Sequence, residues 1–115
     1  MVERVSRKRR FPRIQVVAPV LVKRLGEETT GEMTRVKVLG LGGCMFESNR
    51  PWGVGSELAL LITLVSGTVH SQGRVVYELD HDERGVEVGV EFVHVDPYDR
   101  PFLEAAVPAP PTGQF

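Results

Sequence analysis

The sequence predicts an all-β fold, a six-stranded antiparallel β-barrel followed by a short C-terminal α-helix. Three observations predict it. Apolar and polar residues alternate with a period of two in several short segments. Turn residues separate those segments at close spacing, and a helical pattern occurs only near the C-terminus. Closure into a barrel removes the exposed edges that such short strands would otherwise leave.

The first three strands are predicted in the N-terminal half. Residues 16–23 are apolar and β-branched, and Pro19 lies among them, so we expect an edge strand or a β-bulge. Residues 35–38 alternate charged and apolar side chains, which indicates a half-buried strand with both valines on one face. Three glycines interrupt that strand before an apolar segment at residues 44–46 resumes it: Gly40, Gly42 and Gly43.

The remaining strands follow two turns. Residues 58–65 are almost continuously apolar and predict a central strand. Ser66-Gly67 is a tight turn, so residues 69–78 are expected to return as the second strand of a hairpin. After a polar turn, residues 86–92 show the clearest period-two alternation in the chain.

The C-terminal end has the pattern of a helix. Asp99 followed by Pro101 is typical of a helix start, with an acid at the cap and a proline where no donor is needed. Pro108 ends it. The predicted organisation is therefore a basic N-terminal arm at residues 1–14, a barrel with its terminal helix at residues 15–107, and a flexible proline-rich tail at residues 108–115.

The charges are segregated along the chain. The formal net charge is -1, which taken alone argues against an anion-binding protein. Residues 1–13 nevertheless hold six of the 14 basic residues and a single acid, whereas residues 76–104 hold nine acids and two arginines. A basic arm is thus cancelled by an acidic last third, and the average conceals the segment that most favours an anionic ligand.

Composition also limits the compartment and the chemistry. Cys44 is the only cysteine, so the domain has no internal disulfide, and no apolar segment approaches the length of a membrane span. A secretory leader pattern is absent at the N-terminus. We therefore expect a cytoplasmic protein. The three histidines are scattered and Cys44 has no evident base beside it, so no catalytic residue, metal site or cofactor is predicted.

Two segments contain the candidate binding residues. Arg9, Arg10 and Arg13 carry planar, permanently charged guanidinium groups, which stack on purines and donate paired hydrogen bonds to phosphate or guanine. A solvated basic tail is the alternative interpretation. The glycines at positions 40, 42 and 43 indicate close backbone approach or positive φ, and a β-bulge or barrel corner would explain them equally.

Together these segments resemble the PilZ domain family, small bacterial barrels best known for binding the second messenger cyclic di-GMP. The family pattern is Arg-x-x-x-Arg before the first strand and Asp/Asn-x-Ser-x-x-Gly at the end of a later strand. Arg9 and Arg13 match the first motif, with Arg10 beside it, and Gly43 matches the last position of the second. The resemblance covers roughly residues 7–107 and implies a split β-barrel with ligand contacts at the arginines and at Gly40, Gly42 and Gly43.

The second motif departs from the family pattern. Val38 stands where Asp or Asn is expected, and Gly40 stands where Ser is expected. Neither residue offers the side-chain hydrogen bonds that the family motif makes to guanine, and each buried group left unsatisfied costs about 1–3 kcal/mol. The arginines are therefore retained while the residues that read the base are not.

Three functions follow from the sequence. In the first, the chain binds cyclic di-GMP through its arginines and signals to a partner protein in motility or surface regulation. In the second, it no longer binds the nucleotide and acts as a protein-interaction module, with Trp52 and the acidic last third as contact surfaces. A nucleic-acid-binding barrel is favoured less, because few aromatic residues are available as stacking platforms.

Overall fold

The computed structural model describes residues 12–28 and 30–108. It contains six strands and one α-helix, which we label β1 to β6 and α1. Their bounds are β1 Arg13–Arg24, β2 Glu32–Gly40, β3 Gly43–Ser48, β4 Glu57–Thr63, β5 Thr68–Asp80, β6 Val86–Val95 and α1 Arg100–Ala106. A single turn of 3-10 helix, Asp82–Arg84, lies between β5 and β6.

The six strands form a closed antiparallel barrel. The order around it is β1-β2-β3-β6-β5-β4, and β1 pairs with β4 to close the sheet. This confirms the predicted fold class. The hairpin turn at Ser66-Gly67 is also confirmed, since Leu64 and Gly67 exchange backbone hydrogen bonds of 3.0 and 3.2 Å.

Strand β1 is not an edge strand. It pairs with β2 on one side and β4 on the other, so the edge alternative for Pro19 is wrong. The bulge alternative is confirmed, because the register with β2 shifts between Gln15 and Ala18. The registered pairs with β4 begin at Val20, so Pro19, which has no N–H, lies just beyond the end of that ladder.

The inward side chains of all six strands fill the barrel. Strand β4 has its inward residues fully covered, and its neighbours contribute branched aliphatic residues that fit a pleated, half-buried surface. The largest side chains with under 2% of their surface exposed are Phe46, Leu39, Leu58, Ile62 and Leu103. Leu103 and Val107 bring the C-terminal helix into the same core.

Helix α1 packs against the β4–β5 hairpin. The Ser66 hydroxyl donates to the Phe102 carbonyl at 2.7 Å, and the Phe102 ring lies against Gly67, where a Cβ would come within 2.8 Å of it. Asp99 occupies the N-cap position as predicted, but its side chain makes no capping hydrogen bond. Its carboxylate instead accepts from the His70 backbone N–H at 2.9 Å and contacts His70 Nδ1 at 2.7 Å.

We expect Asp99→Asn to weaken the attachment of this helix to β5 and so to lower the stability of the fold at neutral pH. The pKa of Asp99 is lowered, chiefly because the His70 amide donates to the carboxylate. A carboxyl with a depressed folded-state pKa stabilises the fold above its unfolded pKa of about 3.9, and this contribution is lost as the pH falls through the folded-state pKa. Thermal melts should therefore show a lower Tm for Asp99→Asn at pH 7 and convergence with the wild type in acid. Asp82→Asn, in the 3-10 turn, is the control, and a constant Tm difference at all pH values would contradict the assignment.

Residues 1–11 and 109–115 lie outside the described residues, so the arm with Arg9 and Arg10, and most of the proline-rich tail, have no structural account. Arg13 and Ile14, which the sequence assigns to the arm, belong to β1. Over residues 12–28 and 30–108, no helix has the length and apolarity needed to cross a membrane.

Candidate ligand-binding groove

Two β-bulges turn side chains from the barrel interior to its outer face. In β2 the register with β3 shifts between Val36 and Val38. Val36 therefore faces the core with none of its surface exposed, while Val38 faces outward, although the sequence alternation predicts both valines on one face. In β5 the register with β6 shifts between Val75 and Tyr77, so Val75 is buried and Tyr77 points outward.

These bulges align one outward row across four strands. Val38 pairs with Met45, Met45 pairs with Gly89, and Gly89 pairs with Tyr77. Gly89 has no side chain, and the Tyr77 ring lies directly on its backbone, where a Cβ would overlap the ring. An aromatic ring over a strand glycine protects the exposed backbone and fixes the ring orientation. The row therefore forms a mainly apolar floor with one aromatic ring at its end.

The Tyr77 ring is held by a polar network. Its hydroxyl donates to Glu87 Oε2 at 3.0 Å, and His81 Nε2 lies 3.2 Å from Glu87 Oε1. Partial burial raises the pKa of Tyr77, and the hydrogen bond to Glu87 raises it further. Both oxygens of the Glu87 carboxylate are thus engaged, and the tyrosine is held protonated.

The glycine segment between β2 and β3 closes one end of this floor. A Cβ at Gly43 would overlap the Val90 carbonyl oxygen, so close approach of the β3 and β6 backbones requires glycine there. The Phe92 N–H donates to the Gly42 carbonyl at 2.8 Å. Positive φ, the other predicted reason for these glycines, does not occur at any of the three. Close approach of two backbones is therefore the reason for glycine at position 43.

Arg13 lies beside this glycine segment. It is the register partner of Gly40, and a Cβ at Gly40 would lie 3.4 Å from the Arg13 Cγ and 3.3 Å from the Pro12 carbonyl oxygen. Arg13 is exposed, so its guanidinium is available at the rim of the floor. Pairing of β1 with β2 thus joins the end of the basic segment to the glycines, although 27 positions separate Arg13 from Gly40 in the chain.

Together these residues enclose an outer groove of about 310 Å³. Four of the predicted site residues line it: Arg13, Gly40, Gly42 and Gly43. The other two, Arg9 and Arg10, lie outside the described residues. The remaining lining consists of Val38, Cys44, Met45, Val76, Tyr77, Glu87, Gly89, Val90 and Glu91. An arginine at the rim, an apolar and aromatic floor and two carboxylates from β6 can hold a ligand that combines a flat ring with an anionic group.

The groove contains no reactive cysteine. Cys44 is buried, and burial raises the pKa of its thiol to about 12. A thiol of this kind is a wall residue and not a nucleophile, as the sequence predicts. Within residues 12–28 and 30–108, no three histidine, cysteine or acidic side chains are grouped closely enough to hold a metal ion.

Sequence reasoning missed several residues that line the groove. Met45, Val76, Tyr77 and Glu91 were not predicted as site residues, yet all four line it. A pattern was present, because Val75, Val76 and Tyr77 are three consecutive apolar residues that break the alternation of β5. Such a break is typical of a bulge, but it does not tell which residue is inserted.

Trp52 belongs to the core and does not form a contact surface. Only 4% of its surface is exposed, and its ring packs edge-on against Phe46 with centroids 6.5 Å apart. The indole N–H donates to Ser48 Oγ at 3.0 Å. The predicted use of this residue in partner binding is therefore wrong, because its side chain is buried in the hydrophobic core.

The chain is thus a small closed antiparallel barrel with an outer groove where an arginine-bearing first strand meets a glycine-rich turn. A model of the PilZ domain matches residues 7–107, and the chain belongs to the PilZ domain family. PilZ domains are regulatory receptors rather than enzymes. The resemblance inferred from the sequence is thereby confirmed.

Solved structures show the same fold. The inhibitor of motility MotI/DgrA from Bacillus subtilis superposes with a TM-score of 0.73 at 15% identity, over 86% of this chain and 49% of that chain. This chain therefore spans about half the length of that protein. The PilZ domain of YcgR from Escherichia coli, solved with cyclic di-GMP, gives a TM-score of 0.63 at 17% identity, over 87% of this chain and 88% of that chain.

A third neighbour is the complex of MrkH from K. pneumonia with cyclic di-GMP. It gives a TM-score of 0.65 at 16% identity, over 86% of this chain and 49% of that chain. At these identities the structural likeness establishes the barrel alone. A comparison with curated proteins finds no match.

Proposed function

We propose that this PilZ domain binds cyclic di-GMP in the outer groove and passes the binding event to a partner protein in the cytoplasm. The observation that carries the proposal is the position of Arg13 at the rim of the groove beside Gly40, with Gly42 and Gly43 completing the same end. Two structural neighbours of this chain, the PilZ domain of YcgR and MrkH, are solved with that ligand. The output we propose is motility regulation, in keeping with the name of the neighbour MotI/DgrA.

The groove chemistry suits the parts of this ligand. Cyclic di-GMP carries two phosphates and two guanines, so it needs both cations and flat apolar surfaces. Arg13, with Arg9 and Arg10 preceding it in the chain, would supply charge and paired hydrogen bonds. The Tyr77 ring and the floor formed by Val38 and Met45 would pack against a base.

Isothermal titration with cyclic di-GMP tests the proposal. We expect the wild-type protein to bind and Arg13→Ala to bind about tenfold or more weakly, because a charge-assisted hydrogen bond contributes about 1.5–3 kcal/mol. Arg84→Ala is the matched control, since Arg84 lies in the 3-10 turn outside the groove lining. No heat from the wild type at high micromolar ligand overturns the proposal, and equal affinities of the two variants remove Arg13 from the site.

The second candidate is a PilZ domain that binds a protein partner without the nucleotide. It is favoured by an apolar row on the opposite outer face, where Met33 pairs with Leu21 and Leu21 pairs with Leu61. Met33 is 64% exposed, and Val17 on the same strand as Leu21 is 68% exposed. Exposed apolar rows of this kind are typical of protein contacts. On this hypothesis Val38 and Gly40 mark a site that has lost its ligand.

Restoring the motif separates the two candidates. If the wild type gives no heat, the double variant Val38→Asp with Gly40→Ser should gain binding where the two missing side chains are the only defect. The groove accepts the change at Gly40 with small shifts, since the nearest atom to a new Cβ is the Pro12 carbonyl oxygen at 3.3 Å. If the double variant also gives no binding heat, the groove no longer binds the nucleotide, and the second candidate is favoured.

A further inference from the structure

A guanine in the outer groove needs a carboxylate that position 38 does not provide. The Watson–Crick edge of guanine presents the N1 hydrogen and the 2-amino group side by side, and one carboxylate accepts both. A site without such an acceptor leaves two donors of the ligand unpaired, which costs far more than a lost apolar contact. Val38 has no acceptor, so a guanine-reading groove must find one on another strand.

Among the described residues, two carboxylates line the groove, and one of them is already hydrogen-bonded within it. Glu87 already accepts from the Tyr77 hydroxyl with one oxygen and contacts His81 with the other. If the Glu87 side chain rotated toward a bound ligand, it would lose its hydrogen bond with Tyr77, which holds the tyrosine ring over Gly89. Glu91 is the other candidate, and it lies four residues further along the same strand on the same outer face.

The surroundings of Glu91 leave its carboxylate accessible. Its side chain is exposed, and its register partner on β3 is Gly43, which has no side chain to cover it. Its partner on β5 is Arg74, whose guanidinium is 3.9 Å from Glu57 instead. Between Glu91 and Glu87 lies Gly89, covered only by the flat ring of Tyr77. A base packed on the floor would therefore present its edge toward Glu91.

We propose that Glu91 is the guanine-reading residue of this groove, replacing from strand β6 the carboxylate that Val38 does not supply from β2. This inference rests on the proposed binding of cyclic di-GMP. It also assigns a role to part of the acidic last third of the chain. The acid faces the ligand base while Arg13 faces the phosphates, so the two charges bind different parts of one ligand.

The test uses two ligands that differ by a single group. Cyclic di-IMP carries hypoxanthine in place of guanine and lacks the 2-amino donor. Titration of the wild type should show tighter binding of cyclic di-GMP than of cyclic di-IMP. Glu91→Gln should weaken cyclic di-GMP binding about 10- to 100-fold, in line with a lost charged hydrogen-bonding pair, and should reduce the preference between the two ligands. Glu83→Gln, in the 3-10 turn, makes the same chemical change outside the groove and should behave as the wild type.

The outcomes separate this inference from the function on which it rests. No binding of cyclic di-GMP by the wild type overturns both. Binding by the wild type with equal affinity in Glu91→Gln and Glu83→Gln overturns only the role of Glu91, as does equal wild-type affinity for the two ligands. If Glu91→Gln lowers the Tm of the protein, Glu91→Asp is the variant to test, because it keeps the carboxylate. This variant must retain the preference for cyclic di-GMP over cyclic di-IMP if the inference is correct.

Discussion

Replacing Gly43 with alanine is expected to destabilise the barrel by about 3 kcal/mol or more. The added Cβ would overlap the Val90 carbonyl oxygen, and Glu91 Cα would lie 3.2 Å from it. Both obstacles belong to the backbone of β6, which is paired on its other side with β5, so neither can move without breaking a ladder. With a total stability of about 5–15 kcal/mol for a domain of this size, such a loss is visible in a urea melt.

Gly40→Ala is the matched control for that experiment. Gly40 ends β2 and Gly43 begins β3, so the two glycines flank the same turn. Neither has positive φ, so backbone strain cannot distinguish them. A Cβ at Gly40 comes no closer than 3.3 Å to any atom, and a loss below about 1 kcal/mol is expected. Equal urea midpoints for the two variants would show that close approach at Gly43 is not what fixes the β3–β6 pairing.

The barrel was predictable from the sequence because period-two alternation reports directly on which face a residue occupies. The clearest case is β6, where Val86, Val88 and Val90 are buried as expected. The groove was only partly predictable. Arg13 and the glycines could be identified by type, but Val38 and Tyr77 reach the groove through bulges, and a one-residue insertion reverses the face of every residue after it.

The roles of polar side chains were predicted less well than their positions. Asp99 was expected to cap the helix, and it occupies the cap position, but its carboxylate binds His70 on β5. A short side chain beside a neighbouring strand can satisfy donors on that strand as readily as those of its own helix. Which N–H groups donate to the Asp99 carboxylate depends on how the helix packs against β5. That packing is a tertiary property, and the local sequence does not encode it.

The fold brings basic and acidic residues that are far apart in the sequence into one groove. Arg13 and the carboxylates of Glu87 and Glu91 line one groove, although they come from opposite ends of the chain. The two carboxylates lower the affinity of the groove for anions in general. A ligand binds tightly there only if it offers hydrogen-bond donors to the carboxylates as well as phosphates to the arginine. Near-neutral net charge is thus compatible with an anionic ligand and favours selectivity over non-specific binding.

The second large effect is expected at Trp52. Trp52→Ala should destabilise the protein by about 3–5 kcal/mol, the usual cost of removing a buried tryptophan. The ring is enclosed between the Phe46 edge and the Arg50 guanidinium, which lies 4.0 Å from the ring centroid. Its indole N–H donates to Ser48, and its backbone N–H donates to Glu78 at 2.6 Å, so the residue fastens the β3–β4 loop to β5.

Tyr98→Ala provides the contrast, because Tyr98 is an aromatic residue with 89% of its surface exposed. Its loss should change the free energy of unfolding, measured by urea denaturation, by no more than about 0.5 kcal/mol. The pair of variants also decides between the two uses of Trp52. A contact residue for a partner would leave the free domain stable when truncated, whereas a core residue destabilises it in the absence of any partner. A stable Trp52→Ala domain would therefore return Trp52 to the set of candidate binding residues.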